Sequence, residues 1–497
     1  MNAHQFLQAR RPSAFALKFA PRKILPEFAH SYSLIALGAL CLCTLVACAS
    51  LPPMDAVVAA SEIKSSAAPL QIEGPKGMLP VRQGDAILSR LNRDAPETNI
   101  FERHLALENS LSSEPLTSGN KVVLLQDGPS TYAAMNRAIA SAKDHINMET
   151  YIVEDDAIGQ SFSKALIEKQ RAGVQVNFIY DSVGSINTPR DFFDQLREGG
   201  ISVLEFNPVN PLTAKKGWEI NQRDHRKLLI VDGKTVLLGG INISAVYSGG
   251  SFGRRSKLNA DVNDGAAKVR WRDTDIQIDG PVVASFQRLF LETWNKQKGA
   301  PIAPRNYFPP LKAEGREVIR AIASSSDDAS ARIYTTLISA ISSAETSIAI
   351  INAYFVPDAQ LLDALKQAVK RGVNVKIVLP GKTDSALVFH AGRSYYQRML
   401  DDGIEIYERQ EKLLHSKTVL IDGVWASVGS PNLDWRSFLH NDEVTAVVLG
   451  TDFGQQMASV FAKDLAASEQ ITPSEWKARH LMWRIKESAA RVWAYWL

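Results

Sequence analysis

Outside one short stretch the chain has no cysteine: of its 497 residues only Cys41, Cys43 and Cys48 are cysteines. A disulfide framework or a cysteine-based metal site is therefore excluded from everything after residue 48. An excess of charge is missing too. Lys and Arg total 56 against 53 Asp and Glu, a net charge of +3. That argues against the broad basic surface of a general nucleic-acid binder. The apolar run near the N-terminus, Leu34 to Ala47, falls short of the roughly 20 residues a bilayer-spanning helix needs. What is present is ordinary globular composition, 45% hydrophobic and 22% charged, which excludes global disorder. The length exceeds what a single core usually serves, so two domains are expected.

The N-terminal run has the layout of an export signal. Arg10, Arg11, Lys18, Arg22 and Lys23 precede it, and it ends in Leu45-Val46-Ala47-Cys48. That ending resembles a bacterial lipobox, which implies lipidation of Cys48. Ala49 in place of Asp implies, by the same resemblance, sorting to the outer membrane. The expectation is a lipid-anchored protein of the cell envelope, facing the periplasm. The competing reading is a short uncleaved anchor. Both place the rest of the chain outside the cytoplasm and against a membrane. Residues 1–48 are thus read as signal peptide, and 49–118, rich in Ala, Ser and Pro, as a tether with a small packing segment.

After that the chain repeats. Ile146 to Val153 reads as a strand, followed by a helix, the turn Ala172-Gly173 and a second strand, Asn177 to Asp181. The second copy runs through a helix at Arg332 to Ala344, strand Ser347 to Phe355, a helix, Gly372, and strand Lys376 to Leu379. Helix, glycine and β-branched strand in succession mark βαβ crossovers. The next helix of each copy ends in glycine, at Gly199-Gly200 and Gly403, as C-caps do. The expected organisation is two tandem α/β domains, residues 119–300 and 326–470, joined by a Pro-rich linker at 301–325. The functional site is expected at their interface.

The chemistry lies in a string that occurs twice. One copy reads His225-Arg226-Lys227-Leu228-Leu229-Ile230-Val231-Asp232-Gly233; the other reads His415-Ser416-Lys417-Thr418-Val419-Leu420-Ile421-Asp422-Gly423. Each continues through a second apolar run to an asparagine at the same offset, Asn242 in Gly239-Gly240-Ile241-Asn242 and Asn432 in Gly429-Ser430-Pro431-Asn432. Strand, Asp-Gly, strand is a hairpin signal. Residues two apart share a strand face, so each His should point with its Lys. Asp232 and Asp422, at an odd offset, should face away and orient the hairpins. Cleaving a phosphodiester by double displacement needs a nucleophile, a proton donor and cations for the phosphoryl oxygens. Two histidines and two lysines supply these near neutral pH, with Asn242 and Asn432 as further phosphate binders. The other histidines show no metal-ligand spacing, so no metal or cofactor is expected.

The paired motif resembles the phospholipase D superfamily, over roughly residues 119–497. Gly239 to Ser244 and Gly429 to Ser437 make the resemblance closer to bacterial cardiolipin synthases. The resemblance implies that His225 attacks phosphorus and His415 acts as acid, then base. It also implies an acidic residue after each motif to hold the histidine. Glu443 and Asp273 stand at the same offset before Gly450 and Gly280, with Asp275 a competitor for the second role. Ser244 and Ser437 are candidate phosphate donors. Tyr151 and Tyr354 are either pocket or core residues, and His390 is read as structural. The expected activity is phosphatidyl transfer from a lipid such as phosphatidylglycerol to an alcohol, or hydrolysis through the same phosphohistidine. A nuclease is the alternative that modest charge and the lipobox disfavour.

Residues 471–497 form a basic, Trp-rich segment. Met482, Ile485, Ala489, Val492 and Trp496 fall on one helical stripe among Lys477, Arg479, Arg484, Lys486 and Arg491. Such a helix suits a membrane interface; the other reading is a helix packed on the core with a solvated basic face.

Overall fold

In the computed structural model, residues 50–54, 70–111, 114–210, 219, 221–248, 271–328 and 330–497 are described. Cys48 and most of residues 245–270, an insertion in the first copy with no counterpart in the second, lie outside them. Residues from Leu51 onward form one compact unit.

Fourteen strands carry the duplication. In the first copy they are β1 (Leu116–Leu125), β2 (His145–Thr150), β3 (Gln175–Asp181), β4 (Ser202–Phe206), β5 (Leu228–Val231), β6 (Thr235–Gly239) and β7 (Asp275–Asp279). In the second they are β8 (Glu317–Ser324), β9 (Ser347–Asn352), β10 (Asn374–Pro380), β11 (Glu405–Arg409), β12 (Lys417–Ile421), β13 (Trp425–Gly429) and β14 (Asn441–Leu449). The first copy pairs in the order β4-β3-β2-β5-β6-β7-β1. The second repeats it as β11-β10-β9-β12-β13-β14-β8. Strands β1 and β8 pair antiparallel, so one ladder runs through both halves.

The sequence explains the layers. Strand β5 is a continuous apolar run buried along its whole length, as a strand covered on both faces must be, and β3 is buried throughout although it carries Gln175, Asn177 and Asp181. Helices Gly128–Ser141 and Ala157–Arg171 cover one face of the first copy, and Arg332–Ser343 and Ala359–Lys370 their equivalents in the second. Gly200 (φ 87°) and Gly403 (φ 84°) take the left-handed conformation that ends a helix. A shared core crosses the join: Ile230, Leu238 and Phe286 of the first copy pack in one cluster with Leu420, Val428 and Phe453 of the second.

Three segments differ from expectation. Residues 317–324, placed within the linker, are strand β8, central to the sheet and buried through most of its length. Arg320 hides that strand in the sequence; it is buried against Glu108, 3.7 Å away. The stretch taken as a tether contains helices Val81–Asp94 and Ile100–Leu111, whose Leu91, Ile100, Phe101 and Leu105 join the second copy's core. The C-terminal segment is divided between core and solvent. Trp476, Ala490 and Ala494 are buried in that core, while Leu481, Met482, Ile485, Val492 and Trp493 stay exposed.

Candidate active site

Each motif opens just before its hairpin. Val231 accepts from the Lys234 amide at 3.0 Å, and Ile421 from the Val424 amide at 3.1 Å. Asp232 (φ 52°) with Gly233 (φ 61°), and Asp422 (φ 51°) with Gly423 (φ 67°), form these turns. Two successive positive φ values define the turn type that matches strand twist. The motif aspartates stay out of the site, as their odd offset implies. Asp232 accepts from the amides of Lys143, Asp144 and His145 at 2.8 to 3.1 Å. Asp422 accepts in the same way from Glu345, Thr346 and Ser347, and from Thr98 Oγ1 at 2.6 Å. The two aspartates pin each hairpin to the start of β2 or β9.

The two copies exchange partners around the histidines. Arg223–Asp224 pairs parallel with the start of β14, and Trp271–Arg272 with Leu413–Leu414. The His225 amide donates to Asp442 O at 2.9 Å, and the His415 amide to Arg272 O at 2.8 Å. This register brings Glu443, of the second copy, to His225: its Oε1 and Oε2 lie 3.0 and 3.1 Å from Nδ1. Asp273, of the first copy, sits 2.7 Å from His415 Nδ1. So each acid holds the histidine of the opposite copy. Asp275, the competitor for Asp273's place, instead accepts from the Ile241 amide at 3.1 Å. Burial, helped by Asp273, raises it to about 8. An Nδ1–H donated to a carboxylate leaves Nε2 of each ring to act as base or nucleophile.

Burial sets the electrostatics. It lowers His225 to about 4, against the opposing pull of Glu443, so the ring is neutral at pH 7. His415 is lowered for the same reason, with Lys417 adding to the effect. Glu443 resists burial because His225, Lys227 and the Ser430 hydroxyl favour its anion, and it falls to about 2. Desolvation lowers Lys227 to about 7 and Lys417 to about 8. Lys417 acts on both His225 and Lys227, which places the four groups in one electrostatic neighbourhood. Each lysine ammonium donates back to the carbonyl of its own histidine. Lys417 Nζ is also 2.9 Å from His415 Nδ1.

Among the other expected residues, Tyr151 lies edge-on to His225 with ring centroids 4.9 Å apart. Tyr354 does the same to His415 at 6.2 Å. Asn242 donates to Tyr247 Oη at 3.0 Å and accepts from the Ile152 amide at 3.1 Å. Asn432 is buried, and its Oδ1 has no partner among the described residues. Ser244 donates to Glu154 and caps a short helix, and Ser437 accepts from the Asn432 amide at 3.1 Å. The Ser437 hydroxyl is engaged within its own turn, and that of Ser244 by Glu154, which follows β2. His390 packs against Trp483 at 5.3 Å, in line with a structural role.

Four residues escaped the sequence reading. Arg226 is buried beneath Glu443, donating to its carbonyl at 3.3 Å and to Thr293 Oγ1 at 2.6 Å. Ser430 donates to Glu443 Oε2, a contact for which Gly240, its counterpart, has no side chain. Tyr247 and Trp271 pack on His415 with centroids 5.7 and 5.1 Å away. Ser430 was findable, since it breaks the match between the two Gly-x-x-Asn turns. Tyr247 lies within the insertion that has no counterpart in the second copy and Trp271 follows it, so no offset pointed to them.

Two duplicated halves that each bring a His–Lys pair to one seam, with crossed carboxylates, define a phospholipase D-type phosphodiester enzyme. The chain matches the family described as cardiolipin synthase, PLD-like domain, over residues 135–249 and 337–465. It is 35% identical to a cardiolipin synthase of Alkalihalophilus pseudofirmus over 389 residues, 78% of this chain and 74% of the relative. The major cardiolipin synthase of Bacillus subtilis is 36% identical over 380 residues, 76% of this chain and 75% of that one. The chain belongs to the cardiolipin synthase family, phosphatidyltransferases of the phospholipase D superfamily. A solved phosphatidylserine synthase of Haemophilus influenzae shares the fold, with a TM-score of 0.57 over 78% of this chain and 99% of that one at 13% identity.

Proposed function

We propose that the protein moves a phosphatidyl group between alcohols, with phosphatidylglycerol as donor and the glycerol headgroup of a second phosphatidylglycerol as acceptor. Cardiolipin and glycerol are then the products. The crossed His225–Glu443 and His415–Asp273 pairs carry this reading. In the first step His225 Nε2 attacks phosphorus, the bond to the headgroup oxygen breaks, and His415, entering as the imidazolium that Asp273 favours, gives that oxygen the proton on Nε2. Lys227 and Lys417 take the phosphoryl oxygens, where charge grows in the transition state. In the second step His415 removes the proton of the acceptor hydroxyl, the new P–O bond forms, and the P–N bond to His225 breaks. Water in place of the acceptor gives phosphatidic acid, so transfer and hydrolysis share one intermediate.

The exposed apolar stripe of helix Leu481–Arg491, set among basic residues, supports work at an anionic lipid surface. The Cys48 motif supports a lipid anchor in the cell envelope, at the outer membrane on the periplasmic side; mass spectrometry of the mature N-terminus tests it. Among the described residues no helix is long and apolar enough to cross a membrane.

Incubating the purified protein with labelled phosphatidylglycerol, with and without glycerol, tests the reaction. Cardiolipin, lost when glycerol is added in excess, is the expected product. Phosphatidic acid alone would mean a hydrolase, and lipid inertness with cleavage of DNA would overturn the lipid reading.

A further inference from the structure

The two sides of the site are built alike but charged differently. Tyr354 is the second copy's counterpart of Tyr151, and its hydroxyl donates to Asp384 Oδ1 at 2.6 Å. No other partner of Asp384 is found among the described residues, and the residue is exposed. Through Tyr354, edge-on to His415 at 6.2 Å, it stands on the His415 side of the site. The loop that presents it is fixed at both ends. The Gly381 amide donates to Arg409 O at 2.8 Å. Beyond it, helix Ala386–Arg393 approaches the Phe355 carbonyl so closely that a Cβ on Gly392 would come within 2.6 Å of it. Within the loop, the Ser385 amide donates to Thr383 Oγ1 at 2.9 Å. Burial lowers the proton affinity of His415 and Lys417, and the Asp384 carboxylate works in the opposite sense on both. Around Tyr151, burial and Asp181 raise the phenol to about 12 while Arg436 and Arg223 oppose them. Around Tyr151 the cations Arg223 and Arg436 are thus matched by Asp181 and Glu443, whereas the Tyr354 hydroxyl meets an exposed carboxylate.

We propose that Asp384, held by Tyr354, is a headgroup subsite that accepts hydrogen bonds from the hydroxyls of a polyol acceptor. The inference rests on the transfer reaction proposed above, in which His415 takes the proton of the acceptor hydroxyl. An acceptor oxygen beside His415 leaves the rest of its headgroup lying over Tyr354. A carboxylate there suits the hydroxyl next to the reacting one, which donates. Charge-assisted hydrogen bonds of this kind are roughly twice as strong as neutral ones.

The test is the partition of the phosphoenzyme between acceptors. The full-length protein is given phosphatidyl-p-nitrophenol, with glycerol and ethanol together as acceptors. Asp384→Ala is expected to lower the glycerol-over-ethanol preference by about ten- to a hundredfold, the range for loss of hydrogen bonds to a charged group. Tyr354→Phe should lower it less, in the same direction. The preference is a ratio of products, so it does not depend on how much of a variant folds. An unchanged preference in Asp384→Ala would overturn the subsite. Loss of preference for ethanolamine over ethanol, with glycerol unaffected, would overturn the polyol assignment. Failure of the wild type to release p-nitrophenol would instead contradict the parent reaction.

Discussion

His225 is neutral where free histidine is half charged. Burial takes it to about 4 while Glu443 keeps its Nδ1 proton, so the attacking lone pair on Nε2 is available through the physiological range. The pH dependence follows in sign. As pH falls through about 4, His225 gains a proton and loses its nucleophilicity, which gives the acid limb. As pH rises, His415, lowered by burial, loses the proton it must give to the leaving oxygen, and through about 7 and then 8 Lys227 and Lys417 lose the charges that hold the phosphate, which together give the alkaline limb. A kcat/KM profile on a soluble diester should therefore peak between these limbs. An alkaline limb above pH 10 would show that the lysines are not desolvated. The crossed acids make a second prediction. Glu443→Gln weakens the nucleophile, so turnover should fall about a hundredfold or more whatever the leaving group. Asp273→Asn weakens the proton donor, so a p-nitrophenol leaving group, which needs no proton, should restore its rate of p-nitrophenol release. Equal rescue of both variants would contradict the crossed assignment. The histidines, lysines and both acids were legible in the sequence because they recur at matching offsets. That the acids cross over was not, because it depends on two-residue bridges, Arg223–Asp224 and Trp271–Arg272, too short to leave a periodic pattern.

At the level of elements, the turn after each hairpin sets the position of its acid. Gly240 passes so close to Asp273 that a Cβ there would come within 2.4 Å of Oδ1. A carboxylate locked to a histidine at 2.7 Å has no room to retreat without breaking that bond. Gly240→Ala should therefore cut turnover by about ten- to a hundredfold, the usual cost of disturbing a partner that orients a ligand or base. The loss should be rescued in part by a p-nitrophenyl substrate, as for Asp273→Asn. Loss of turnover that tracks a lowered Tm, with no rescue, would mean the backbone had shifted instead. The hairpins themselves were legible from Asp-Gly between two apolar runs. Strand β8 was not, because Arg320 interrupts a run that reads as linker, and its partner Glu108 lies on a helix far away in sequence. Tertiary pairing, not local pattern, makes that position a strand.

Across the whole molecule, the duplicated ladder makes one site out of two incomplete ones. Neither copy alone supplies a histidine together with the carboxylate that holds it, since Glu443 and Asp273 both reach across the join. The C-terminal helix adds a surface. Arg393 ties it down, lying over the ring of Trp483 at 5.5 Å and beside Glu487 at 3.7 Å. Its outer face leaves Val492 78% and Trp493 56% exposed. Replacing both with glutamate should weaken co-sedimentation with anionic vesicles with little change in Tm. Undiminished binding would mean that another face meets the membrane. The duplication was legible in the sequence; that the helix turns its apolar stripe outward was not, because periodicity gives a stripe but not its direction. The central claim, two copies acting as nucleophile and proton donor on one phosphorus, is tested most directly by trapping the intermediate. His415→Asn, given phosphatidyl-p-nitrophenol, should release p-nitrophenol and then stall, and mass spectrometry should find one phosphatidyl adduct, on His225. An adduct on His415 in the reciprocal His225→Asn protein but none on His225, or turnover with no adduct in either variant, would contradict it.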